Sequence, residues 1–204
     1  MSRRARWIRL GCADEREWQT ACEAFCAAHS RRAAPIVLWA CARGDRQYRY
    51  AVIAPAHVAP GCRARWISWA LSPAVAAYRD FGLRAYLDGA DICLHGRRIG
   101  NGRAEAVGDC VVIASQLDGG APLPEPSALA PEFRAWLREG LGLAMTQWGD
   151  EDGVPTERAF EAALRARIEA QHGWEFETAW PMKAEQAAID GARREFAGSI
   201  TATG

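Results

Sequence analysis

The stretch from Asp88 to Gln116 constrains the fold of this chain more than any other. Ile92 and Leu94 alternate with polar neighbours, and Cys110 through Ile113 form an apolar run, which reads as three short strands in a meander. The turns fall at His95-Gly96 and Gly108-Asp109, where glycine accepts positive φ. Between them, Arg97 to Gly102 is cationic and glycine-rich and is flanked by apolar strands. Such a segment brings backbone amides and fixed positive charge against a sheet, as binding an anionic or phosphorylated ligand requires. The same pattern also describes a solvated hairpin on an ordinary sheet.

The remaining elements follow from periodicity and breakers. Residues 6–10 read as a strand, and Asp14–His29 as a helix with Trp18, Cys22, Phe25, Cys26 and His29 at spacings of three and four. Ile36–Ala40 and Tyr48–Ala54 form a hairpin across the turn at Arg43-Gly44-Asp45-Arg46. Arg65–Ala70 reads as a further strand, followed by a helix capped by Ser72 with Pro73 first and ended by Gly82. Asp118–Pro126 is a linker and Pro131–Met145 a helix. A long helix starts at Pro155 or Thr156 and stops at Gly173, Trp174–Trp180 alternates as a strand, and Ala184–Phe196 is a last helix. This order predicts an α+β fold, a mixed and mostly antiparallel sheet with packed helices. It divides into a core over 1–120 and a helix-rich part over 121–204 packed on the same domain.

Charge excludes some functions. Formal net charge is zero, with 25 basic and 25 acidic residues, so no global field favours nucleic acid or an anionic membrane. No apolar stretch reaches the length of a membrane span, the basic N-terminus lacks the apolar core of a signal peptide, and seven unpatterned cysteines suit a reduced cytoplasmic setting. Lys183 is the only lysine, so lysine-dependent chemistry has almost nothing to use.

Cys22, Cys26 and His29 share a helix face, with Cys12 before it, yet no second ligand pair follows and cysteine packs as a small hydrophobe, so no metal site is assigned. Cys93 and Cys110 lie within strands and read as core rather than as nucleophiles. Trp39, Trp66, Trp69, Tyr48 and Tyr50 either line a ligand ring or form core. The acidic run Asp150-Glu151-Asp152 has no metal-loop spacing.

Residues 65–118 resemble the central motif of the biotin and lipoate protein ligase family. Asp91 matches the family's aspartate, Gly96-Arg97-Arg98-Ile99-Gly100 its glycine-arginine-lysine segment, and Asp109–Ala114 the apolar strand that follows. Leu71–Tyr78 and Phe81-Gly82-Leu83 resemble the helix before the motif. The resemblance implies Arg98 as the catalytic cation, where the family has a lysine that holds the acid's carboxylate and the adenylate phosphate. It implies Asp91, Arg97, Gly100, Asn101, Gly102, Arg43 and Arg46 as substrate-binding residues. Biotin, lipoate or a related small carboxylic acid would be the ligand, with ATP only if the protein is active. A biotinyl or lipoyl carrier domain would accept the acyl group, and a homodimer stays open.

The chain departs from the family at functional positions. Arg98 replaces the lysine, Gly89-Ala90 replaces the family's Pro-Asn, Asn101 replaces the second motif glycine, and the Arg- and Gly-rich phosphate loop has as its nearest equivalent Ala42-Arg43-Gly44-Asp45-Arg46-Gln47-Tyr48-Arg49, with a single glycine. Arginine keeps the charge but is larger and planar, so the replacement is not conservative. These departures imply a diverged or degenerate ligase that binds a small carboxylic acid or its adenylate. An active ligase or acyltransferase and a non-catalytic interaction domain are the alternatives.

Overall fold

The computed structural model describes residues 3–13, 15–28, 34–42, 47–118, 156–187 and 189–191. They form one eight-stranded sheet, built from β1 (Arg3–Ala13), β2 (Ile36–Ala42), β3 (Gln47–Pro55), β4 (Tyr86–Asp88), β5 (Asp91–Leu94), β6 (Arg97–Val107), β7 (Cys110–Asp118) and β8 (Trp174–Thr178). The spatial order is β4-β5-β6-β7-β3-β2-β1-β8. β1 runs parallel to β2 and β8, and every other pair is antiparallel. Helices α1 (Glu15–Ala28), α2 (Trp66–Asp80) and α3 (Glu157–His172) pack on it, and 183–187 and 189–191 are also helical. The architecture is a mixed, mostly antiparallel α+β sheet, as the sequence predicts.

Local chemistry explains the meander. His95 (φ 51°) and Gly96 (φ 75°) make a two-residue turn whose left-handed backbone matches strand twist, and Gly108 (φ 57°) does the same between β6 and β7. The short β4 pairs outside β5 and is absent from the sequence reading. α3 starts where Thr156 Oγ1 accepts the Ala159 amide at 3.2 Å and ends at Gly173 in the left-handed region.

Arg65–Ala70 is not a strand. Arg63–Arg65 forms a single 3-10 turn and α2 begins at Trp66, so Pro73 sits inside the helix rather than at its start. The strand expectation follows the β-prone composition of Trp66-Ile67-Ser68-Trp69-Ala70, but the spacing of Trp66, Trp69 and Ala70 is helical and continues through Ala74, Ala77 and Tyr78. Ser72 Oγ bonds the Ser68 carbonyl within the helix instead of capping it. The expected linker beyond Asp118, the helix at 131–145, the acidic loop and the end of the last helix lie outside the described residues.

The sheet has two unequal faces. On one, Trp7, Trp39, Tyr48, Tyr50, Val52 and Ile113 pack against Leu71, Ala74 and Tyr78 of α2 and Phe160, Leu164 and Ile168 of α3. Phe160 is fully buried, with ring centroids at 4.9 Å from Tyr78 and 5.6 Å from Tyr48. α3 is tied to β1 by the Trp7 indole, which donates to Glu161 at 2.7 Å, and by Arg9 at 2.7 Å from the same carboxylate. On the other face, Ile8, Ile36, Leu38, Ala51 and Ile53 pack under Trp18, Cys22, Phe25 and Cys26 of α1. α1 lies over β1, β2, β3 and β7, so the β5–β6 part of that face is left without a helix among the described residues.

Candidate functional site

Directly opposed residues of paired strands share a face, so register shows which side chains meet. Asp91 of β5 is paired with Asn101 of β6, Asn101 with Gln116 of β7, and Gln116 with Arg49 of β3. These form one polar row across four strands on the α1 face. All four line a cleft of about 540 Å³ between α1 and the sheet. Below that row the floor becomes Arg103 with Ala114, then Glu105 with Val112, while α1 contributes Trp18, Cys22 and Cys26. Away from that row the lining mixes apolar groups, Trp18, Val112 and Ala114 among them, with Gln19, Glu23, Arg103 and Glu105.

The two arginines nearest this row differ sharply. Arg49 is 7% exposed, and its Nη1 donates to the Ala13 carbonyl at 3.2 Å. The Arg98 side chain is 64% exposed and lies 4.0 Å from the Asp91 carboxylate. Arg98 lines a separate hollow of about 240 Å³ with Gln47, Gly100, Asn101 and Gln116. Asn101 and Gln116 border both hollows, and Gln116 Nε2 donates to Gln47 Oε1 at 2.5 Å.

Of the residues singled out from sequence, Asp91, Asn101 and Gly102 line the larger cleft, and Arg98, Gly100 and Asn101 the smaller hollow. Arg97 is exposed at the start of β6 and lines neither. Arg43 and Arg46 lie outside the described residues. Gly100 and Gly102 are also required by packing within the protein. A Cβ on Gly102 would meet Leu71 at 3.0 Å, and one on Gly100 would meet the Gln116 carbonyl oxygen at 3.0 Å and Leu117 at 3.2 Å. Their missing side chains therefore make room for packing inside the protein. Sequence reading missed Arg49 and Gln116. Arg49 carried a usable signal, because it is a charge in the middle of an otherwise apolar strand.

Cys26, at the cleft, and the strand cysteines Cys93 and Cys110 are poor nucleophiles. Burial pushes the Cys26 thiol up to about 12, with Cys110 and Glu23 adding to the effect, and burial also raises Cys93 and Cys110. Among the described residues, no three His, Cys, Asp or Glu side chains come together as a metal site. No helix among them is long and apolar enough to cross a membrane.

Comparison with solved structures decides the fold. A lipoate protein ligase from Thermoplasma acidophilum, part of a bi-partite system described with its E2 lipoyl domain, superposes with a TM-score of 0.70 at 11% identity over 93% of this chain and 91% of that one. The chain has the biotin/lipoate protein ligase fold. A lipoate-protein ligase A bound with ATP gives 0.68 at 12% identity, covering 94% of each chain. A mutant biotin protein ligase from Aquifex aeolicus, in complex with biotin, gives 0.52 at 10% identity over 81% of this chain and 69% of that one. No family model matches the sequence, and no curated protein matches it. At this identity the likeness of the ligase fold is one of backbone, and function has to be argued from the site.

Proposed function

We propose that this ligase-fold protein binds a small carboxylic acid of the biotin or lipoate kind, free or as its adenylate, in the cleft between α1 and the sheet. The observation that carries this reading is the polar row of Asp91, Asn101, Gln116 and Arg49 at one end of a 540 Å³ cleft whose remaining walls include Trp18, Cys22, Cys26, Val112 and Ala114. That volume lies in the usual range for small-molecule sites, and such sites pair apolar walls with a few convergent polar groups. Asp91, Asn101 and the Gly102 backbone contact the ligand in this reading, with Arg98 and Gly100 in the adjoining hollow.

ATP chemistry is supported less. A triphosphate needs a cradle of backbone amides and cations. Only residues 43–46 join β2 to β3, and Gly44 is their single glycine. So short a connection does not fit a nucleotide-covering loop, and no adenylation step is derived through these residues. The motif cation Arg98 is also exposed and set against Asp91, where adenylation needs a cation aimed at carboxylate and phosphate together. The active alternative would transfer the acyl group to a lysine of a carrier domain.

Calorimetry and thermal shift with biotin, lipoate and octanoate, each with and without ATP, test the reading. Saturable binding by wild type and its loss in Ala114→Phe, which fills the cleft floor, are the expected results. Pyrophosphate release on adding ATP would instead establish the active ligase, and no binding by any acid would leave an interaction domain.

A further inference from the structure

We propose that Cys12 and Cys41 form an oxidisable dithiol, a modification site at which a peroxide converts the two thiols into a disulfide between β1 and β2. Strand alternation alone would keep them apart. Trp7 and Arg9 of β1 face α3, so a regular strand would turn Leu10 and Cys12 toward α1. The structure breaks that alternation with one extra residue. β1 advances three residues from Arg9 to Cys12 while β2 advances two from Trp39 to Cys41. Gly11, at φ 73°, takes the left-handed backbone that such a bulge uses. Cys12 is thereby set directly opposite Cys41 on the α3 side, while Ala13 after it packs in the core under α1. Opposed residues on neighbouring strands lie about 4.8 Å apart, within the Cα spacing of roughly 4.4–6.8 Å that a disulfide spans.

The two thiols are unequal in a way that gives each a part. Cys12 is exposed and open to a small oxidant, whereas Cys41 is half-buried. Burial pushes the Cys41 thiol up to about 12, and its hydrogen bond to Glu157 and the nearness of Cys12 add to the effect. Cys41 is therefore held as a thiol with its proton directed at a carboxylate. That carboxylate is fixed in the first turn of α3 by Arg9 at 3.2 Å and by the Trp39 indole at 3.3 Å. Cys26 also lies near Cys110, but both are buried and out of an oxidant's reach.

The reaction has two steps. The Cys12 sulfur, as thiolate, attacks one peroxide oxygen; the O–O bond breaks, Cys12 becomes a sulfenic acid, and the other oxygen leaves as water after taking up a proton. The Cys41 sulfur then attacks the Cys12 sulfur, so that an S–S bond forms as the S–O bond breaks. Glu157 is placed to take the Cys41 proton and pass it to the departing hydroxide, which leaves as the second water. Two thiols lose two electrons and two protons, and hydrogen peroxide is reduced to two waters. The new bond pins the end of β1 beside Ala13, whose carbonyl accepts the Arg49 guanidinium at 3.2 Å, although neither cysteine lines the cleft.

Peptide mass spectrometry of the reduced chain, treated with hydrogen peroxide and then alkylated, tests the assignment. Wild type is expected to lose two hydrogens in mass and to yield a peptide linking Cys12 to Cys41, and dithiothreitol should restore both thiols by exchange. In Cys41→Ser, Cys12 should stall as a sulfenic acid that dimedone captures. In Cys12→Ser, Cys41 should stay reduced. Glu157→Gln should close the bond several-fold more slowly, and a rate equal to wild type would overturn the part given to Glu157. Wild type in which Cys12 runs on to sulfinic acid while Cys41 stays free overturns the pairing. So does a disulfide that joins either residue to a different cysteine, or a treated chain that keeps both thiols.

Discussion

The two faces of this sheet are made by the same strands and behave as different materials. Along β3, Tyr48, Tyr50 and Val52 point into the aromatic core under α2 and α3, while Arg49, Ala51 and Ile53 point toward α1. On the first face the rings of Trp39, Tyr48, Tyr78 and Phe81 pack around Phe160. On the second, α1 covers β1, β2, β3 and β7 and leaves a cleft whose floor carries a polar row. A strand therefore serves stability with its odd residues and recognition with its even ones, or the reverse, and substitutions should separate the two.

The largest separation is expected at Phe160, where truncation to alanine should destabilise the fold by about 3–5 kcal/mol in urea unfolding, since a fully buried aromatic ring leaves an unfilled cavity. Octanoate affinity of the remaining folded protein should stay near that of wild type. An affinity that falls along with stability would show that the two faces are coupled.

His172 probes how dry the crowded face is. Its ring lies 4.6 Å from Trp69 and 4.8 Å from Trp174, and burial pushes its pKa down to about 4. Its place at the C-terminus of α3 would favour the charged form, so desolvation outweighs the helix dipole here. The folded state holds this imidazole neutral, while the unfolded chain takes up a proton below its ordinary value of 6.5. Stability from this group is thus complete above pH 6.5 and declines as pH falls toward 4, by up to about 3 kcal/mol. The difference in unfolding free energy between wild type and His172→Phe, followed from pH 7 to 4, should show that slope. A flat difference would mean that water reaches the ring.

Gly100 gives the smallest effect and the sharpest contrast. Alanine there would push its Cβ against the Gln116 carbonyl and Leu117, so Gly100→Ala should lose about 1–3 kcal/mol of stability. Had the glycine served ligand approach, the variant would keep its stability and lose only binding. Thermal unfolding and octanoate calorimetry on the same sample tell these apart.

Much of the fold was legible because it is encoded locally. The β5–β6–β7 meander follows from alternation and from glycines at turns that demand positive φ, and α3 follows from Thr156 and Gly173 at its ends. The Arg65–Ala70 segment was misread because its aromatic and β-branched residues favour strands, while the helical spacing of Trp66, Trp69 and Ala70 only becomes evident with Ala74, Ala77 and Tyr78 packed in α2. Asp91 and Asn101 were found through the motif, whereas Arg49 and Gln116 were not, since no local pattern links them to it.

The sequence by itself determined which residues of each strand share a face, where the hairpins turn and that the fold resembles a ligase, because alternation, turn chemistry and a contiguous motif are short-range properties. Only the tertiary structure decided which distant residues meet along the cleft floor. Arg49 and Asp91 meet the same row through the pairing of β3 with β7, β7 with β6 and β6 with β5, and that alignment depends on how strands far apart in the chain settle against one another.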